Sequence, residues 1–427
     1  MGRIHHGRND LTRRRQLAHQ VQVRHTKRHG GPAVLEFQMV LDERSGEVPV
    51  ISGELLVRAG DADNQRVRSM VDTGPLAEVA RPLDGRLVRL QAPGLRGDAL
   101  SSLVGELSAN GVKASMNYVV PAGDPGDIVW KGLAGPEPSA GPGPVRPERG
   151  AGTPVRVAVI DTGIAAERRT DAWLTDVVRD RNIDPLDTLP PIGSLDLAAG
   201  HGTFAAGIVQ QIAPDADIAV YRTLDSDGIG SEVDVAEAMV RAVREGAQIL
   251  NLSVGLETVG GQPPMAFQTA LELIGEYEVE RQTQVLVVAA AGNFGHDREC
   301  WPGAFPSVTA VGALTQDGAP AGWSSRGSWV DCSTIGEGVR STYVKGRESQ
   351  VVDPDPDTFG PDSWALWTGT SFTAPQIAGA VALVAQREPR FTGPDGAPRV
   401  RDVLAELLAG QPDVEGYGRA IEILPPT

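Results

Sequence analysis

Asp161, His201, Asn293 and Ser371 are the residues of this chain whose types and surroundings could do chemistry together. Asp161 follows an apolar run in VRVAVIDTG (residues 155–163), and His201 stands between glycines in GHGTFAAG (200–207). Asn293 ends VLVVAAAGN (285–293), and Ser371 opens the small-residue pattern GTSFTAPQIAG (369–379). A serine hydroxyl is a poor nucleophile at its own pKa; it needs a base to take its proton and a carboxylate to orient that base. An asparagine amide can donate to the oxyanion that forms next. Singly, each residue has an ordinary reading: a turn-capping Asp, an αL Asn, an N-cap Ser. Together, each in its strand or helix context, they are the parts of a serine hydrolase.

The elements needed to position them are also legible. Residues 156–160 read as a buried strand with Asp161 at its carboxyl edge, where open parallel sheets place their crevices. His201 lies where a glycine turn meets a helix pattern. Ser371 begins an Ala-rich helix whose Pro375 falls in the first turns, where a missing N–H is tolerated, and the helix N-terminus favours negative charge. Five of the seven histidines (His5, His6, His19, His25, His29) sit in an Arg-rich N-terminal stretch, leaving His201 and His296 as bases in the folded part. His296, beside Asp297 and Arg298, reads as an exposed surface residue.

In their order Asp, His, Ser, these segments resemble the subtilisin-like serine proteases (subtilases, peptidase S8 family). The resemblance runs from about Val155 to the end, with weaker similarity at ILNLSVG (249–255), WPGAFPSVTAVGA (301–313) and GWSSRGSWVDCSTIGEG (322–338). It implies an α/β fold with a doubly wound parallel sheet and serine endopeptidase activity. Asp161, His201 and Ser371 would be the triad, and Asn293 with the Ser371 backbone N–H the oxyanion hole. By the same resemblance Ser253, Val254 and Gly255 would pair with an extended polypeptide substrate, the β-augmentation mode. Ala290, Ala291 and Gly292 would line the pocket opposite. The chain departs from many members at Phe204, where they carry a second His, and at Phe372, where they carry Met. Neither position supplies catalytic chemistry. The intact GHGT argues against the sedolisin variant with its Glu base. Two rival readings are a processing protease dedicated to one partner and an inactive peptide-binding scaffold.

The remaining chain divides by composition. Residues 1–34 form a basic arm, read as disordered: its first 30 residues hold eight Lys/Arg against one Asp, so the rest of the chain carries −23 of the net −16. An acidic body repels nucleic acid and anionic membranes, so neither is an expected partner. Residues 35–125 show a β-α-β-α-β rhythm, with strands at 53–58, 86–90 and 114–120 and helices at 63–71 and 98–110. That suits a small ferredoxin-like α+β unit. Subtilase propeptides have such a fold, which makes this a propeptide-like domain and an intramolecular inhibitor; an accessory domain is the alternative. Residues 126–152 are a Pro/Gly-rich linker suited to self-cleavage, and 153–427 are the catalytic domain.

No apolar leader or membrane-spanning run is visible, which makes the expected location cytoplasmic, with leaderless export or a misassigned start as the alternative. Cys300 and Cys332 then default to reduced thiols, with a disulfide left open. No cofactor or metal is expected. The acidic loop 350–363 lacks an EF-hand pattern, and calcium there is left open.

Overall fold

The computed structural model describes residues 35–122, 135–141, 143–147, 154–179, 182–189, 191–350, 355–393 and 396–425. The basic arm 1–34 therefore lies outside the described residues, as do 351–354 of the acidic loop and much of the stretch read as a linker. Among the described residues, no helix is long and apolar enough to cross a membrane.

The N-terminal part runs β1 (Phe37–Asp42), β2 (Gly46–Arg58), α1 (Gln65–Asp72), β3 (Ala77–Ala80), β4 (Leu87–Gln91), α2 (Asp98–Ala109) and β5 (Ala114–Pro121). Its strands lie in the order β5-β2-β4-β3, antiparallel, with β1 also paired to β2. Sequence patterning finds β2, both helices, β4 and β5, and misses β1 and β3. In β1 the buried Gln38 breaks the alternation. β3 is four residues long, bulged between Glu78 and Ala80, with Val79 51% exposed, so it has no apolar face to read.

A two-residue strand β6 (Glu137–Pro138) follows. Next come β7 (Arg156–Asp161), β8 (Ile164–Ala165), β9 (Ile183–Asp184), α3 (His201–Ile212), β10 (Asp217–Arg222), β11 (Ile229–Ser231), α4 (Glu232–Arg244), β12 (Ile249–Leu252) and α5 (Met265–Arg281). The chain continues through β13 (Leu286–Ala290), β14 (Thr309–Leu314), β15 (Cys332–Ile335), β16 (Val339–Thr342), β17 (Gly346–Arg347), β18 (Thr358–Phe359) and β19 (Trp364–Trp367). It ends in α6 (Ala374–Arg387), α7 (Val400–Leu408), β20 (Asp413–Val414) and β21 (Gly418–Ala420).

The main sheet has the order β10-β7-β12-β13-β14-β15-β21-β20, parallel throughout except for the β20–β21 pair. Its strands are apolar on both faces because helices cover both. Along β7, Val157 and Val159 enter the core with α3 and α6, while Ala158 and Ile160 enter the core with α4 and α5. The chain leaves β7 for β10 on one side and returns to β12 on the other. The carboxyl ends of β7 and β12 therefore flank a topological switch point, where a crevice opens.

The N-terminal sheet lies on α4 and α5, and its Leu55, Leu90 and Val120 share one apolar core with Val235, Met239, Phe267 and Ala270. Ion pairs rim this contact: Arg58 with Glu272 (2.8 Å), Arg86 with Glu276 (2.6 Å) and Arg244 with Asp84. Part of the Pro/Gly-rich stretch is laid against the catalytic half. β6 pairs with β19, Trp173 Nε1 donates to the Pro144 carbonyl (2.9 Å), and Arg146 bonds Asp176 (2.9 Å). In the acidic loop, Asp362 accepts from the Thr170 backbone N–H (2.8 Å).

Candidate active site

Three strand ends and one helix start converge at the switch point. Asp161 is the last residue of β7, and its side chain is fully buried. His201 is the first residue of α3, entered through Gly200, whose left-handed backbone (φ 81°) turns the chain into the helix. The helix comes close because residue 202 is glycine: a Cβ there would fall onto the Gly163 carbonyl. His201 Nδ1 then lies 2.8 and 2.9 Å from the two Asp161 carboxylate oxygens. With the carboxylate as acceptor, Nδ1 carries the proton, and the far nitrogen Nε2 is left as the basic one.

A second carboxylate holds this pair in place, and nothing in the sequence singled it out. Asp184, in β9, accepts from Gly200 N–H (2.8 Å) and from Thr162 Oγ1 (3.0 Å). Thr162 Oγ1 in turn accepts from Gly202 N–H (3.1 Å), and Thr162 N–H donates to Asp161 (2.7 Å). The turn after Asp161 and the start of the His201 helix are thus tied to one buried group. Burial pushes the Asp184 carboxyl up to about 6, against the pull of its hydrogen bonds. Its one legible signal was an Asp at the end of a short apolar-polar run, which is common in loops.

Ser371 lies in a 3-10 turn, Thr370–Phe372, just before α6, in which Pro375 occupies a first-turn position. It is 3% exposed. Its neighbours anchor it between the other candidates. The Phe372 ring packs on the His201 ring (centroids 5.2 Å apart), and Thr370 donates from both N–H and Oγ1 to Asn293 Oδ1 (2.9 Å each). A backbone N–H can only donate, so the amide oxygen of Asn293 must face Thr370, and Nδ2 is left as donor on its other side. Ser371 Oγ donates to the Ser253 carbonyl (3.3 Å).

Phe204 and Phe372, the two departures noted in the sequence, touch each other (4.6 Å), and both meet Trp367 (5.6 and 5.1 Å). Trp367 also stands edge-on to His201 at 5.5 Å. The imidazole is wedged in an aromatic box, which fixes its rotamer. Trp367 went unnoticed because its strand, β19, is short and preceded by an acidic loop.

Of the expected substrate-contacting residues, Ser253, Val254 and Gly255 follow β12, while Ala290, Ala291 and Gly292 close β13; all six are buried. Two of them are bonded to the Ser371 turn: Ser253 Oγ donates to the Ser371 carbonyl (2.7 Å), and Gly292 N–H donates to Thr370 Oγ1 (3.0 Å). The end of β5 already lies beside the first group. Gly255 N–H donates to the Pro121 carbonyl (3.3 Å), Ala122 N–H donates to the Gly228 carbonyl (2.8 Å), and β5 pairs antiparallel with β11.

His296 differs from the surface residue expected. Its Nε2 is 3.3 Å from Glu257, its ring stacks on Phe294 (5.4 Å), and Arg298 caps the same carboxylate (2.6 Å). Burial alone would raise Glu257, yet His296 and Arg298 bring it below its ordinary value. Both cysteines are buried, and no disulfide joins them. Among the described residues no group of three or more His, Cys, Asp or Glu is arranged to hold a metal ion.

Comparison with known proteins agrees with this geometry. Over 276 residues the chain is 29% identical to the thermostable alkaline protease of Halalkalibacterium halodurans, covering 62% of this chain and 66% of that protein. Over 251 residues it is 30% identical to subtilisin BL of Lederbergia lenta, covering 56% of this chain and 80% of the relative. The chain spans 52–66% of the length of several such relatives. Among solved structures, fervidolysin from Fervidobacterium pennivorans, a keratinolytic enzyme related to subtilisin, shares the fold. Its TM-score is 0.60 at 20% identity, over 91% of this chain and 62% of that one. With the subtilase family model matching residues 152–417, on a sheet whose switch point gathers an Asp, a His, an Asn and a Ser, the chain belongs to the subtilase family.

Proposed function

We propose that this protein is a serine endopeptidase in which Asp161, His201 and Ser371 form the catalytic triad. The observation that carries the reading is the double approach of His201 Nδ1 to the Asp161 carboxylate, beside the Ser371 turn. In the reaction, Ser371 Oγ turns from the Ser253 carbonyl, attacks the scissile carbonyl and passes its proton to His201 Nε2. Asp161 keeps the imidazole in the right tautomer and stabilises the imidazolium. Asn293 Nδ2 and the Ser371 backbone N–H donate to the oxyanion, and His201 then protonates the leaving amine. Collapse of the intermediate leaves an acyl-serine, which water, activated by the same His201, hydrolyses. The substrate is a polypeptide lying extended between β11 and Ser253, Val254 and Gly255, with Ala290, Ala291 and Gly292 opposite.

Residues 35–125 act, in this reading, as a ferredoxin-like, propeptide-like domain that inhibits the enzyme, ahead of a connecting stretch 126–152 and a catalytic domain 153–427. The strand order β5-β2-β4-β3 with two helices supports that fold. The seat of Pro121 and Ala122 between Gly255 and Gly228 supports inhibition, since it occupies the backbone positions an extended substrate would use.

Intact mass of the purified wild type beside Ser371→Ala, with a fluorophosphonate probe on both, tests the proposal. A wild type that is cut between residues 122 and 153 and labelled, with a mutant that is neither, is the expected result. Absence of both label and cut in the wild type, across pH and after limited proteolysis, overturns it.

A further inference from the structure

Gly255 and Gly292 face each other across the space beside Ser371, and one atom fills it. A Cβ added to Gly255 would stand 2.6 Å from Cys300 Sγ; one added to Gly292 would stand 2.8 Å from the same sulfur. The thiol therefore rests against both backbone walls, in the room that two missing side chains leave. Phe294 closes the Gly292 side further, its ring 2.9 Å from that same added Cβ. Cys300 is fully buried, and the backbone fixes its place. Leu256 and Trp301 pair antiparallel through two hydrogen bonds of 2.9 Å, which puts residues 255 and 300 on the same face, diagonally across the bridge, and Ala304 N–H donates to the Cys300 carbonyl (2.9 Å).

Resting on the endopeptidase reading, we propose that Cys300 sets specificity, restricting the residue whose carbonyl Ser371 attacks to glycine or alanine. In that reading these two glycine-flanked walls are where the side chain of that residue must enter, because one wall pairs with the substrate backbone and the other leads into Asn293. A side chain larger than a methyl group has to displace a sulfur held in a close-packed site, and overpacking of that kind is destabilising. The groove also holds a chain of matching size. The strand end bonded to Gly255 and Gly228 is Pro121-Ala122, and Ala122 carries only a methyl group.

The test uses the full chain and Cys300→Gly, each assayed with succinyl-Val-Pro-Ala-X p-nitroanilides in which X is Gly, Ala, Leu or Phe. Ser371 labelling by a fluorophosphonate is measured on the same samples. Wild type is expected to favour Ala over Phe by about 50-fold or more in kcat/KM, within the discrimination that pocket size can give. Cys300→Gly is expected to lower that ratio at least about tenfold, chiefly by raising kcat/KM for Phe and Leu, while the near-isosteric Cys300→Ser keeps it. Should the glycine variant fail to fold, Cys300→Ala reports the same change at smaller size. A wild type that cleaves the Phe or Leu substrate as readily as Ala overturns the proposal whatever the variants do, as does an unchanged ratio in a folded, labelled variant. Loss of both labelling and hydrolysis in the wild type would instead remove the endopeptidase reading beneath it.

Discussion

Ser253 and Ser371 hold each other through a reciprocal pair of hydrogen bonds: Ser253 Oγ donates to the Ser371 carbonyl (2.7 Å), and Ser371 Oγ donates to the Ser253 carbonyl (3.3 Å). The strand end and the turn are thereby clasped at one fixed separation. Asn251 Nδ2 also donates to Ser253 Oγ (2.9 Å), so removing that hydroxyl strands a buried donor. Ser253→Ala is expected to destabilise the fold by about 1–3 kcal/mol, read as a lower urea midpoint with an unchanged slope. No loss of stability would mean the clasp is incidental.

The Asp161–His201 contact sets a kinetic expectation. Asp161→Asn preserves the shape of the side chain but favours the wrong tautomer of His201, and kcat is expected to fall by roughly 10⁴. Peptide hydrolysis measures it, with circular dichroism checking that the fold is intact. A loss below tenfold would mean that Asp161 does not orient the base.

Asn293 separates two roles in one side chain. Its oxygen serves Thr370, and its nitrogen is the candidate oxyanion donor. Asn293→Asp keeps an acceptor for Thr370 and removes the donor, with an expected loss of about 10²–10³ in kcat and little change in KM. A change confined to KM would assign the residue to binding instead.

Two buried carboxyls give stability a pH signature. Burial pushes the Asp184 carboxyl up to about 6, and desolvation raises Glu232, fully buried at the start of α4, well above its ordinary value against the pull of a backbone hydrogen bond from Ala266. Both bind protons more tightly folded than unfolded. Their contribution is full below about pH 4 and is lost as pH climbs through about 6 for Asp184 and higher for Glu232. For Asp184 that is on the order of 3 kcal/mol by pH 8, at 1.36 kcal/mol per pH unit. Denaturation of Glu232→Gln and the wild type between pH 4 and 8 checks the sign, with the variant gaining relative stability as pH rises. A difference that stays flat with pH would show that Glu232 is not protonated in the fold.

Salt is expected to leave the N-terminal half in place. The Arg58–Glu272 and Arg86–Glu276 pairs are partly exposed, and such pairs are worth about 0–1 kcal/mol each and are screened at high ionic strength. The shared apolar core around Leu55, Val120 and Phe267 is not screened. Gel filtration of proteolytically nicked protein in 1 M NaCl is expected to keep both pieces together, and separation under those conditions would contradict the core's dominance.

Much of the candidate site was legible because each residue ends a buried strand or starts a helix, and both periodicities are local. Asp161 and Asn293 close apolar runs, and His201 and Ser371 open patterns of small residues. What escaped depends on distant chain. The place of Cys300 is set through the Leu256–Trp301 bridge, and the half-buried seat of His296 by Glu257, partners about 40 residues away that no local pattern reveals. Asp184 earns its place only once β9 lies beside β8, and Pro/Gly-rich composition conceals that β6 has a strand partner more than 200 residues downstream. In the N-terminal half the apolar strands were readable, whereas β3, with no buried face, was not.

The two attachments on either side of residues 123–134 have a kinetic corollary. β5 is bonded into the groove at one end, and β6 is bonded to β19 at the other, so both flanks belong to the same molecule as Ser371. For the self-cleavage proposed above, a bond held on the same chain as its catalytic groups reacts at a local concentration set by the tether, not by the amount of protein in solution. Processing of the chain would then be a first-order clock, with a half-time unchanged on hundredfold dilution.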